Sequence, residues 1–169
     1  MNLSELKSCD ILLYKGTSVI SKLIQWRTKS LYSHVAVVVG AEMNLAIESN
    51  TGSQAGVRAL DLRKLDTKTI DVFRVKPGNA FKPEQVISYL VKCLGSQYDF
   101  AGVLWLGVLK TLNLQEKANR FQIDRDYFCS ELVYEAFKSA GLDIVPQIGS
   151  AETTSPGDIS RSPILEAWV

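Results

Sequence analysis

The sequence predicts one domain, residues 1–169, with strands filling its first half and helices taking over after them. Three observations predict this. Between residues 10 and 76, short runs rich in Val, Ile and Leu are bounded by Gly, Pro, Asn and Lys, as strands are. From Pro83 onward, apolar residues recur at helical spacing instead. At 169 residues the chain can bury one substantial core, and it shows no internal repeat, low-complexity tract or domain boundary.

Taken in order, Asp10 to Tyr14 (DILLY) is a short apolar run stopped by Lys15 and Gly16, which suits a buried strand. Val19, Ile20, Leu23, Ile24 and Trp26 then repeat at helical spacing, with Thr17 or Ser18 available as the N-cap. Arg27 to Ser33 is a polar connection. His34 to Gly40 (HVAVVVG), the turn residues AEMN and Leu45 to Asn50 (LAIESN) form a β-hairpin. Its pattern favours a register symmetric about residue 41 or 42. Val35, Val37, Val39, Leu45 and Ile47 then make a bulky face, and His34, Ala36, Val38, Ala46 and Glu48 a second face small enough for another element to approach closely.

VRALDL, within Gln54 to Leu65, reads as a third strand, and Ile70 to Lys76 (IDVFRVK) alternates as a further one ended by Pro77 and Gly78. Pro83 suits the first turn of a helix whose stripe is Val86, Ile87, Leu90, Val91 and Leu94, with Gly95 as its stop and Cys93 packed beside it. SQYDF is a turn in which Asp99 can cap the apolar segment Phe100 to Leu114, a core helix or, alternatively, a lid or acyl-chain surface. Glu116 to Arg125 is a charged connector. Leu132, Val133, Ala136, Phe137 and Ala140 mark the next helix, stopped by Gly141, and Val145 to Val169 carries no strong periodicity.

A net charge of +1 without a run of Lys or Arg gives no electrostatic case for a nucleic-acid partner. Cys9, Cys93 and Cys129 are odd in number and lack CxxC spacing, which argues against a disulfide framework and a zinc site, so neither metal nor other cofactor is expected. MNLSELKSCDILLYKG has neither a basic n-region nor a long apolar stretch, so a cytoplasmic setting is expected. Phe100 to Leu114 contains Lys110 and is too short for a transmembrane span, leaving peripheral membrane contact open. Oligomeric state is not legible.

The chemistry centres on DYFCSELVYEAF. With Asp126 as N-cap, Cys129 falls in the first helical turn, where unpaired N–H groups and the helix dipole favour a thiolate. Cys129 also shares the apolar face of Leu132 and Val133, so it equally suits a buried core thiol. The chain has one histidine, so if Cys129 is a nucleophile with a histidine base, that base is His34. The hairpin register makes Glu48 its neighbour and the candidate for orienting the imidazole. Read singly, His34 is also a satisfied strand-edge residue and Glu48 a solvated hairpin end.

DILLYKG, YSHVAVVVG, AIESN followed by GV, QYDFAG and YFCSELVYEAF together resemble the permuted branch of the NlpC-type, papain-like superfamily, the YiiX/YebB-like group related to lecithin–retinol acyltransferase. The resemblance runs in order from residue 10 to about 140, and SPGDISRSP is similar to the group's tail. It implies an α+β, circularly permuted papain-like fold: an antiparallel sheet packed against helices, with the nucleophile at a helix N-terminus. His34 preceding Cys129 agrees with permutation. By the same resemblance Cys129 corresponds to the nucleophile, His34 to the base and Glu48 to the third member. Tyr98 and Tyr127 are candidates for lining the site or, with the backbone N–H of Cys129, for donating to an oxyanion. Cys9 departs from the pattern, since relatives usually carry Gly there. The expected activity is that of a cysteine peptidase or amidase on a peptide or cell-wall-type amide. Lipid acyl hydrolysis or transfer is the alternative, and a non-catalytic binding module the reading of another class.

Overall fold

The computed structural model describes residues 2–50, 56–96, 129–151 and 153–168. Within them an antiparallel sheet is formed by β1 (Ile11–Tyr14), β2 (His34–Gly40), β3 (Leu45–Asn50), β4 (Gly56–Asp61), β5 (Ile70–Val75) and β6 (Leu165–Trp168), in the order β4-β3-β2-β1-β5-β6. The helices are α1 (Val19–Thr28), α2 (Pro83–Lys92), α3 (Cys129–Ser139) and the short α4 (Pro156–Ser160). The elements expected from periodicity are therefore present over the described residues. α4 and β6 lie in the tail, where sequence pattern gave no element.

Local chemistry sets the boundaries. The Ser18 side chain caps α1 by accepting from the Ser21 N–H, and Pro83 opens α2, where its missing N–H costs no helical hydrogen bond. Ser155 and Asp158 form a reciprocal capping box on α4. α4 also packs against α1, and the approach is close enough that a Cβ on Gly157 would lie 2.6 Å from Ser30 Cβ. Cys9 sits at φ 71°, the left-handed region that favours glycine.

The hairpin has the expected register: Ala36 opposes Glu48, Val37 opposes Ile47 and Val38 opposes Ala46, before a bulge between Val38 and Gly40. Its bulky face is the one the helices cover. Val35, Val37 and Ile47 join Val86 and Leu90 of α2 and Leu132, Val133 and Phe137 of α3 in the larger apolar cluster. The small face, expected to admit close packing, instead meets Leu6, Leu12 and Leu62 in a second cluster. Valine and isoleucine bury more apolar area than alanine, so the helices gain more by covering the bulky side.

A buried ion pair fastens the N-terminal turn to the neighbouring strand β5. Asp10, 1% exposed, accepts from Arg74 Nε and Nη2, both at 2.6 Å, and from the Lys7 N–H at 2.8 Å. The same guanidinium lies 4.0 Å over the Trp168 ring and so joins β5 to β6.

Candidate active site

Cys129 lies on α3 (Cys129–Ser139 among the described residues) and His34 is the first residue of β2. α3 is held in place by Ser130, whose buried hydroxyl donates to Thr154 O at 2.6 Å. Cys129 is buried, in keeping with its place on the apolar stripe, yet its side chain hydrogen-bonds the imidazole of His34. Core packing and a polar contact thus coincide at one thiol.

His34 Nε2 lies 2.8 Å from Glu48 Oε2, leaving Nδ1 to face the thiol. Glu48 lies opposite Ala36, two residues along from the position directly across from His34, the diagonal same-face arrangement that the hairpin register provides. Its other oxygen, Oε1, accepts from Arg58 Nε at 3.0 Å and Nη2 at 2.8 Å. Arg58 stands directly opposite Glu48 in the β3–β4 ladder. On the other side of His34, its ladder partner Tyr14 sets the ring edge-on to the imidazole, centroids 5.2 Å apart. Tyr14, His34, Glu48 and Arg58 therefore form one row across four strands.

The electrostatics follow from this row. Burial by itself would lower the pKa of His34, but the negative charge and hydrogen bond of Cys129, followed by those of Glu48, outweigh it and raise the value from 6.5 to about 10. Burial would raise the Glu48 pKa, and hydrogen bonds and charge from His34 and Arg58 hold it below the ordinary carboxylate value instead. The arrangement favours an imidazolium at His34 beside the Glu48 carboxylate. Tyr14 is pushed up by burial and by Glu48, and among the described residues its buried hydroxyl has no hydrogen-bond partner.

Of the residues singled out from sequence, Cys129, His34 and Glu48 are brought together, whereas Tyr98, Tyr127, the caps Asp99 and Asp126 and the apolar segment from Phe100 lie outside the described residues. Arg58 and Tyr14 were not anticipated. Their signal was present, since Arg58 is the basic residue of the VRALDL strand and Tyr14 ends the strand beside His34, but choosing them needs registers that one sequence does not give. Cys9 donates its thiol to Pro83 O, away from His34, and is pushed to about 12 by burial and then by the charges of Asp10 and Glu84.

Comparison with known proteins gives this geometry its family. The model of the permuted papain-like amidase enzymes, the YaeF/YiiX C92 family, matches residues 5–158. Among solved structures, the chain resembles a crystal structure described as the metalloprotein YiiX from Escherichia coli O157:H7, at 19% identity, with 96% of each chain covered and a TM-score of 0.69. No curated protein sequence matches. The described residues themselves offer no metal site: no three His, Cys, Asp or Glu side chains converge as ligands, and both Glu48 oxygens are taken by His34 and Arg58. The chain belongs to the permuted papain-like amidase family, with its α+β fold and its cysteine peptidase or amidase chemistry.

Proposed function

We propose that Cys129, His34 and Glu48 are the catalytic triad of a thiol amidase acting on a peptide or cell-wall-type amide, with residues 1–169 working as one domain. The observation that carries this reading is the continuous line from thiol to imidazole to a carboxylate anchored by Arg58.

The Cys129 sulfur attacks the amide carbonyl carbon, forming the C–S bond and moving the carbonyl π electrons onto oxygen. The backbone N–H of Cys129 donates to that oxyanion, as the helix-N-terminal position expected from the sequence would allow. Collapse of the intermediate breaks the C–N bond as His34 Nδ1 gives its proton to the leaving amine. His34, now neutral, takes a proton from water, the hydroxide adds to the thioester, and the carboxylic acid leaves as the thiol is restored. Glu48 remains ionised, held below its ordinary value, and keeps Nε2 protonated and the ring oriented.

The test is product release from amide and phospholipid substrates, with Cys129→Ala and His34→Gln as controls. Amine release that both substitutions abolish is the expected result. Acyl release from lipid alone refutes the amide substrate, and equal alkylation of the Cys129 thiol with and without His34 refutes the triad.

A further inference from the structure

α1 is turned inside out relative to an ordinary amphipathic helix. None of its residues is buried. Val19, Ile20, Leu23 and Trp26 are 87%, 48%, 55% and 71% exposed, and Leu31, just beyond the helix, is 68% exposed. Their spacing places the four helical residues on one outward arc, while Ser21, Gln25 and Thr28 share the inward face. That inward face is tied to the flanking loops by Gln25, whose Nε2 donates to Gly16 O and Leu31 O, while the Thr28 hydroxyl bonds back within the helix to Ile24 O. Of the ten large hydrophobic residues exposed among the described residues, five fall in this stretch, a concentration rather than the usual scatter.

The charges around the arc have one sign. Between Ile11 and Ala41 the sequence holds Lys15, Lys22, Arg27 and Lys29 and no Asp or Glu. Lys22 and Lys29 flank the arc on one side, are exposed, and take part in no salt bridge among the described residues. Among the described residues, Asp71 is already engaged by Lys15 and Tyr32, and Asp158 of the adjoining α4 by Ser155 and Arg161. An exposed aliphatic arc with an indole and an uncompensated cationic edge matches the boundary between lipid headgroups and acyl chains. An acidic protein partner would use the lysines but leave the aliphatic arc unsatisfied.

We propose that α1 is a membrane-docking surface that seats on anionic lipid bilayers. The proposal is independent of the triad. Its placement has a functional consequence, because α1 leaves the sheet after Tyr14 and returns at His34, and its two ends are tied by the Ser33 N–H donating to Tyr14 O and the Gly16 N–H to Ser33 Oγ. A docked α1 brings the His34 end of the sheet to the bilayer.

The test is co-sedimentation of the full-length Cys129→Ala protein with vesicles of phosphatidylglycerol and phosphatidylcholine, and with phosphatidylcholine alone. Binding is expected to the anionic vesicles, weakening as salt is added. Lys22→Gln with Lys29→Gln lowers the anionic partition by roughly tenfold or more, at about 1 kcal/mol per basic residue near such a surface. Leu23→Ser with Trp26→Ser abolishes sedimentation without changing the melting temperature, because exposed side chains contribute little to folding. Absence of binding to anionic vesicles overturns the proposal, as does binding that survives the Leu23/Trp26 double substitution. A marked fall in melting temperature in that variant shows the arc packed against the protein's own chain. A dimer dissociated by the same substitutions assigns it to a second copy. Either result also overturns the proposal.

Discussion

Arg58→Met tests whether the carboxylate behind His34 depends on its second partner. Glu48 is 6% exposed, and Arg58 donates twice to its Oε1, so methionine leaves that oxygen buried without those two donors. Hydrogen bonds to a charged group contribute about 1.5–3 kcal/mol. The Arg58 side chain is itself 33% exposed, and water replaces part of what is lost, which brings the expected destabilisation to about 2 kcal/mol. For a chain of this size that corresponds to a fall in Tm of roughly 4–8 °C. The pH dependence has a definite sign. The folded-state pKa of Glu48 lies below its unfolded value, so its contribution is present above the unfolded value and is lost as pH falls through the folded one. Removing Arg58 raises the folded pKa, so acid unfolding begins at higher pH. Thermal melts from neutral pH down through the carboxylate range measure both effects. Adding Glu48→Gln should suppress most of the Arg58 effect, since a neutral amide needs no counter-charge. An unchanged Tm together with an unchanged acid midpoint in Arg58→Met would refute the reasoning.

Other consequences are as definite. Arg74→Met leaves the Asp10 carboxylate buried with the Lys7 N–H still donating to it, and should cost about 3–5 kcal/mol, read by denaturant unfolding; adding Asp10→Asn should recover a large part of it. Cys9 occupies the left-handed region, where a non-glycine residue costs roughly 1–2 kcal/mol, so Cys9→Gly should unfold within about 1 kcal/mol of the parent despite the side chain it loses, whereas β-branched Cys9→Val should cost more than roughly 2 kcal/mol. With its pKa pushed to about 12, Cys9 should stay unmodified at mildly alkaline pH while iodoacetamide labels Cys129, as peptide mass spectrometry would show; comparable labelling of both would contradict the assignment.

The parts of the site legible in sequence were those fixed by local periodicity. Alternation in HVAVVVG and LAIESN determined which residues share a face, and a register symmetric about residue 42 then placed His34 diagonal to Glu48. The helix over Cys129–Ser139 was readable from apolar spacing and the Gly141 stop. What could not be read depends on contacts between distant segments. Alternation defines two faces but does not say which one the helices cover, and the bulky face won through Val35, Val37 and Ile47. β6 has four residues with only Leu165 buried, so its identity as a strand comes from pairing with β5. α1 has helical spacing whether its stripe faces inward or outward. Arg58 required the β3–β4 register, which Gln54 to Leu65 alone does not set.

The same division governs how the site is built. The imidazole and its supports arise from neighbouring strands, His34, Glu48 and Arg58 all falling within β2 to β4, so contacts short in sequence place them. The thiol is delivered from residue 129 by the packing of α3, with Leu132 and Phe137 wholly buried against the sheet and Ser130 tied to Thr154. Reversing the order of Cys and His along the chain therefore leaves the chemistry intact, because each reactive group is set by the packing of its own element and not by its sequence neighbours. Precision is correspondingly unequal. A cavity under α3, such as Phe137→Ala at a cost of about 3–5 kcal/mol, loosens the thiol relative to the imidazole while leaving the His34–Glu48–Arg58 row in place. Thiol reactivity should fail before the carboxylate–imidazole pair does.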